Sequence, residues 1–458
     1  MAAKQICVSS FHFVDKTFLD VATLSVLARQ TGGQVYLYHE ATGPMRDVWA
    51  TKLEAELGRY CPPHMPPHTS PTCPYPALML CSTPRSPARV CALACSNLRR
   101  SFGYEGVMRV RCSKGLMVEE YLMGLPCPGQ QEVDVPGIDA DSAFAVTMKH
   151  DDKMDTDQPA YVQCALLYTT GAGQRRVRVL TIGLQTTEAM ASVYRYADLD
   201  ATANVLMRQA VALTLSKNLH LVRESVVTAC VNILYNYRKM VASPQTAAGQ
   251  LVLPESFKLL PLYGLSLTKN GIMRPGTEVR ADERAYLMAM ATRMAIPASV
   301  AFIYPRLFPL LELDESVGAV DTDGTPFLPT PQPLLVENLK SDGAYLIENA
   351  QCLYVWVGKG VPAEWVQAVF NMPSLDRVDS AQLRVPLLDN DTSVRVNRVI
   401  NAVRSQRPHI LQMARVVVPK DALEPRVVSM LTEDRMQTMM NYVEFLCHVH
   451  RQIQAKFT

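Results

Sequence analysis

What this sequence lacks narrows it first. It has no charged, apolar and small-residue leader at its start, and its longest apolar stretches, such as VVTACVNIL, fall far short of a membrane span. A cytosolic protein is the expectation. An excess of one charge is lacking too: 45 Lys and Arg stand against 43 Asp and Glu, a net +2. Bulk charge therefore supplies no polyanion-binding surface, and nucleic acid is not expected as a partner. There is no nucleophile elbow, no GxxxxGK[ST] phosphate loop and no metalloprotease helix. TGGQV at 31–35 sets its glycines after a helix and before a strand, the wrong order for a dinucleotide loop. No dense acidic loop suggests calcium. An interaction protein, not an enzyme, is the expected class.

The 458 residues are 48% apolar and 19% charged, which describes a globular chain of about two to four domains. In a cytosolic setting its twelve cysteines are expected as thiols. Five of them crowd into residues 61–95, within a run that proline interrupts repeatedly and that follows no period of 2 or 3.6. This run opens with CPPHMPPHTSPTC, where Cys61, His64, His68 and Cys73 stand at spacings a zinc site could use. Prolines hold such a run extended and do not readily fold four ligands around one ion. Residues 61–100 are therefore read as a disordered Pro- and Cys-rich insertion, or as non-coding sequence translated into the chain. A metal-binding regulatory module is the competing reading.

Around this run the periodicity divides the chain. FLDVATLSVLARQTGGQVYLY (18–38) reads as a helix, a Gly-Gly turn and a strand, with a further helix from Asp47 to Tyr60. Nothing before it reads as a strand that could complete a parallel sheet, so this first domain is expected to be cut short. Strands follow at 107–111 and 143–149, then a hairpin of YVQCALLY (161–168) and QRRVRVLTI (174–182) about the turn GAG. From 186 to about 300 the period is helical. Val222, Val226, Ala229, Cys230, Ile233 and Tyr237 form a buried stripe, and Asp282 is a plausible N-cap for ERAYLMAMATRM. These helices read as packing without chemistry. The Pro-rich segment 314–335 reads as a linker or domain edge. The strands AYLIEN and CLYVWVG, the helix PAEWVQAVF, a helix near 391–405, the strand ARVVVP and a closing helix suggest a small α+β module. Trp356 reads as its core aromatic. His448 and His450, two apart on a helix, do not share a face and read as surface residues.

GQRRVRVLTI, SPQTAAGQLVLPESFKLLPLY, DERAYL followed by IYPRLFPL, and NYVEFLCHVHRQI resemble the cargo-selecting adaptor family of the COPII vesicle coat, on its C/D branch. The resemblance implies a multidomain α+β protein: a partial α/β, von Willebrand A-like trunk (1–60, then the insertion at 61–100), a β-sandwich with the end of the trunk (101–185), an all-helical domain (186–305), a linker or edge (306–335), and a gelsolin-like α+β domain with the closing helix (336–458). The family's amino-terminal region, four-cysteine zinc finger and most of the trunk have no counterpart here. The chain is therefore expected to be an amino-terminally truncated member without a cofactor.

The implied role is capture of export signals on cytosolic tails of cargo and SNARE proteins, for transport from the endoplasmic reticulum to the Golgi. The implied partners are the GTPase-activating coat subunit as heterodimer mate, the small coat GTPase, the outer-coat subunits and an anionic membrane surface. The implied location is the cytoplasm, peripherally at exit sites and on vesicles. The sister GTPase-activating subunit shares the architecture and is the alternative. The family's pocket for acidic signals maps onto Arg109 and Arg111 in VMRVRCSKG and Leu167 in YVQCALLY. Residues two apart on a strand share a face roughly 6.5–7 Å apart, so two guanidiniums can each take a carboxylate bidentately. The plainer alternative makes them solvent-facing strand residues with Val107 and Val110 in the core. Arg176 and Arg178 also share a face, which could meet acidic lipid headgroups or merely make local salt bridges.

Overall fold

A computed structural model of the chain describes residues 4–14, 17–39, 102–125, 132–242, 250–276, 278–375, 378, 383–406 and 414–457. The helix expected at 47–60 and the insertion at 61–100, with Cys61, His64, His68 and Cys73, lie outside them.

The amino-terminal unit is a βαβ motif. Strand β1 (Ser10–Val14) pairs in parallel with β2 (Val35–His39), and the short helices α1 (Val21–Leu24) and α2 (Val26–Gln30) cross between them. Residues 18–38 therefore do have a partner strand before them, contrary to the expectation. SFHFV buries only His12 and Val14 and leaves Phe13 exposed, so its alternation is weak. The Gly-Gly turn is explained by position: Gly32 has φ +73°, and a Cβ on Gly33 would lie 1.8 Å from the Val8 carbonyl oxygen.

Next comes a sandwich of unequal layers. The larger sheet runs β5 (Val133–Asp139), β3 (Phe102–Cys112), β7 (Ala160–Thr170), β8 (Arg175–Leu184), antiparallel throughout. The smaller pairs β4 (Leu116–Leu122) with β6 (Ala145–His150). Met108, Val133 and Val135 of the first pack on Val118, Tyr121 and Leu125 from the second layer. That layer covers only part of the sheet, and every residue of β8 is exposed.

The helices follow: α3 (Met190–Arg195), α4 (Leu199–Leu213), α5 (Leu219–Met240), α6 (Leu260–Lys269), α7 (Ala281–Ala291) and α8 (Ile296–Ile303). Val222, Val226 and Cys230 of the expected stripe are buried. Several polar side chains are also buried among these helices, tying them to their neighbours. Arg208 is 2% exposed and donates to Asn204 Oδ1 (2.8 Å) and to the carbonyls of Leu122 (3.0 Å), Ala143 (3.1 Å), Met294 (2.7 Å) and Thr292. One guanidinium thereby joins α4 to the sandwich, with its donors satisfied as a buried charge requires. Asp282 does not cap α7, whose N-cap is Arg280. It sits in the first turn and accepts from the backbone N–H groups of Leu19 (2.8 Å) and Val21 (2.7 Å), so it anchors the start of α1 from another unit.

The last sheet runs β12 (Ala414–Val417), β11 (Leu353–Val357), β10 (Ala344–Glu348), β9 (Arg306–Pro309). AYLIE and LYVWV are buried at every position because both faces are covered. One face meets α9 (Ala363–Phe370) and α10 (Asp391–Ser405); the other packs on Val427 of α11 (Glu424–Val428) and on Leu431. Residues 306–335 are more than a linker: β9 is a strand of this sheet, with Leu307 and Phe308 buried on opposite faces. The closing helix α12 (Tyr442–Ala455), started by an Asn441–Glu444 capping box, packs elsewhere. Its Phe445, Val449 and Ile453 join Cys230, Leu234, Phe257 and Leu260, so it belongs to the helical layer and not to the gelsolin-like sheet. The spacing i, i+4, i+8 made the stripe readable, but not its destination.

Candidate functional site

Strand register decides which of the singled-out residues meet. Opposite Val107, Arg109 and Arg111 on β3 stand Leu167, Ala165 and Gln163 on β7. Directly paired residues share a face, so Arg109, Arg111 and Leu167 lie together on the outer surface of the larger sheet. The core face of β3 carries Met108 and Val110 instead. Val107 is therefore on the arginine face, because residues 107 and 110 cannot share one at a period of 2.

The two arginines are in different states. Arg109 Nη1 donates to Glu132 Oε1 at 3.1 Å, across an ion pair whose side chains are 34% and 60% exposed. Arg111 is exposed and makes no hydrogen bond or ion pair among the described residues. An exposed pair of this kind contributes about 0–1 kcal/mol. Sequence reasoning missed Glu132, which precedes β5 and reaches β3 only because β5 is its sheet neighbour.

On β8 the alternation separates the basic residues. Arg175, opposite Thr169, is on the arginine face, where Nη1 donates to Thr169 Oγ1 (2.8 Å) and to the Glu105 carbonyl (2.8 Å) and lies 3.5 Å from the Glu105 carboxylate. Arg176 and Arg178 share the other face, opposite Tyr168 and Leu166, with Leu180 and Ile182 following them. They therefore do not extend the Arg109–Arg111 surface. Val177, Val179, Leu180 and Ile182 are all more than half exposed, a bare apolar strand on both sides.

Trp356 is a core residue of the last sheet, its ring 6.0 Å from that of Tyr345. His448 and His450 are half-buried and not plain surface residues, flanking the buried Val449. His448 Nε2 lies 2.9 Å from Gln452 Nε2. Among the described residues no group of three or more His, Cys, Asp or Glu is placed to hold a metal ion, and no helix is long and apolar enough to cross a membrane.

Comparison with known proteins bears on this arrangement. Residues 103–187 match the model of the Sec23/Sec24 beta-sandwich domain, 198–301 that of the Sec23/Sec24 helical domain, and 327–409 that of the Gelsolin repeat. Protein transport protein SEC24 B of Arabidopsis thaliana is 34% identical over 99% of the chain, and human Protein transport protein Sec24C is 32% identical over 99%. The chain belongs to the Sec24 family. The crystal structure of the human COPII-coat protein Sec24c superimposes on all of the chain with a TM-score of 0.81 at 30% identity. Likeness to Sec24C agrees with the branch that the motifs resemble. The chain spans 37% of the length of each of these two curated Sec24 relatives, and 54% of the Sec24c crystal chain.

Proposed function

We propose that the chain is a cargo-selecting component of the COPII coat, and that it takes acidic export signals on the sheet face formed by Arg109, Arg111 and Leu167. The observation that supports this reading is the free guanidinium of Arg111 beside the weakly held Arg109, with Leu167 on the neighbouring strand. A tail with a carboxylate next to an aliphatic side chain matches that surface in charge and spacing. Affinity is expected to be modest, since Glu132 competes for Arg109, which suits capture followed by release.

In this reading the chain works in transport from the endoplasmic reticulum to the Golgi. It is peripheral at exit sites and on vesicles, beside the GTPase-activating subunit, the small coat GTPase and the outer coat. Arg176 and Arg178 are the candidates for contact with anionic lipid. Peptide titration tests the site: alanine at both Arg109 and Arg111 is expected to weaken binding of an acidic export-signal peptide by at least about tenfold, since each charge-assisted bond is worth about 1.5–3 kcal/mol. Unchanged affinity in the double variant removes the assignment.

A further inference from the structure

The sheet that carries the Arg109–Arg111 face ends on β8, which among the described residues pairs only with β7. Its other edge offers a row of backbone N–H and C=O groups to a further strand. Native edges are commonly blunted by proline, lysine or a bulge. RRVRVLTIGL holds no proline and no lysine, and its pairing with β7 runs without a shift from Arg175 to Leu184. Val177, Val179, Leu180 and Ile182 are each more than half exposed, so a strand laid on this edge also covers apolar surface.

Charge decides which strand fits. The basic residues of β8, Arg175, Arg176 and Arg178, all stand in its first half, and nothing charged follows Arg178 within the strand. Arg175 is engaged with Glu105 and Thr169. Arg176 donates to Gln174 Oε1, and Arg178 makes no hydrogen bond or ion pair among the described residues. Beside the other end of β8 the charge is negative. Thr186 Oγ1 donates to the carbonyls of Asp155 (2.9 Å) and Gln158 (3.0 Å), which fastens the loop 151–158 there. This loop carries Asp151, Asp152, Asp155 and Asp157 against Lys153 alone, all exposed. None of the four carboxylates makes an ion pair among the described residues. The loop runs from β6 in the second layer to β7, so it spans the side of the sheet on which Arg176 and Arg178 stand, the side of Cys164 and Leu166. An edge that is positive at one end and negative beside the other is complementary to itself when turned end for end.

We propose that two copies of this chain join through β8, antiparallel about a two-fold axis perpendicular to the sheet, with Arg176 and Arg178 of each copy against the aspartates of loop 151–158 of the other. Directly opposed residues share a face, so the axis passes through a residue and not between two. Centred on Val179, the pairing sets Arg178 opposite Leu180 and Arg176 opposite Ile182. Centred on Leu180, it sets them opposite Ile182 and Leu184. Registers centred on Val177 or Arg178 are excluded because they set arginine against arginine, and a parallel pairing brings the basic ends together as well. The Arg109–Arg111 face stays open in both copies, so failure of this pairing leaves the proposed signal site untouched.

Sedimentation velocity of the whole chain across a concentration series tests the pairing. A monomer–dimer equilibrium that weakens as salt rises is expected. Arg176→Glu with Arg178→Glu, and separately Asp155→Lys with Asp157→Lys, are each expected to weaken it by about tenfold or more, since opposite charges become like ones at both ends. Mixed in equal amounts, the two variants are expected to dimerise with one another about as well as the unsubstituted chain does with itself, because each end of the mixed pair again joins opposite charges. Unchanged circular dichroism and unfolding temperature establish that both variants are folded. The proposal fails if the unsubstituted chain stays monomeric at every concentration, if either folded variant dimerises as the unsubstituted chain does, or if their mixture stays monomeric. A monomeric chain that floats with phosphatidylserine vesicles, and no longer does so as Arg176→Glu with Arg178→Glu, would assign the two arginines to lipid and overturn the dimer.

Discussion

Lys269 offers a sharp test of how the helical layer is joined to the last sheet. It ends α6, is 0% exposed, and its Nζ donates to the carbonyls of Thr432 (2.7 Å) and Asp434 (2.6 Å). Burial pushes its pKa down to about 8 from 10.5, while Asp434, Glu444 and Glu433 pull it part of the way back and Arg274 lowers it further. The folded pKa is below the unfolded one, so between pH 8 and 10.5 the unfolded chain binds more protons than the folded one. Stability from this group therefore rises with pH across that window. At about 1.4 kcal/mol per pKa unit, going from pH 7 to pH 9.5 recovers roughly 2 kcal/mol of the cost of burying the ammonium. Cys7 and Cys230, which burial raises to about 11 and about 12, act in the opposite direction above their unfolded value of 9.0. The measurement must therefore be a difference. Urea unfolding followed by far-UV circular dichroism, at pH 7 and pH 9.5, would compare the unsubstituted chain with Lys269→Met. The unsubstituted chain is expected to gain on the variant by roughly 2 kcal/mol between the two pH values. A constant difference, or one that moves the other way, would refute the idea that Lys269 is buried as a charged group.

Two further outcomes follow from the same contacts. Asp282→Asn removes the charge behind the bonds to the Leu19 and Val21 amides, worth about 1–2 kcal/mol locally. Hydrogen exchange at those two amides is expected to speed up about tenfold while that of β10 and β11 stays as it was; equal exchange in both chains would show that the anchor is not electrostatic. The bare strand β8 is an edge with apolar side chains on both faces, the arrangement most prone to pairing with another copy. Lysine at Val177 and Val179 is expected to suppress concentration-dependent light scattering, and equal scattering would place self-association elsewhere.

Local pattern carried far for some parts of this chain and not for others, for a physical reason. AYLIE and LYVWV were readable because a strand buried on both faces needs no alternation, and DTSVRVNRVINAVRS because its apolar stripe and Asn390 cap are local. The pairing of Arg109 and Arg111 was readable for the same reason: a period of 2 puts them on one face whatever else the sheet does. What was missed depends on partners far along the chain. Strand β1 has its partner across a crossover, β9 is four residues beside a Pro-rich run, and Asp282 looks like a helix cap until Leu19 and Val21 are placed beside it. The burial of Arg208 and Lys269 has no local signal, since it requires several carbonyls from other elements to converge on each. The same division runs through the candidate site. Its two guanidiniums are set by one short motif, but Glu132, which pairs with Arg109, is brought from beside a different strand. Charge and spacing on β3 thus set the chemistry of the proposed face, and a residue outside the motif already meets part of it.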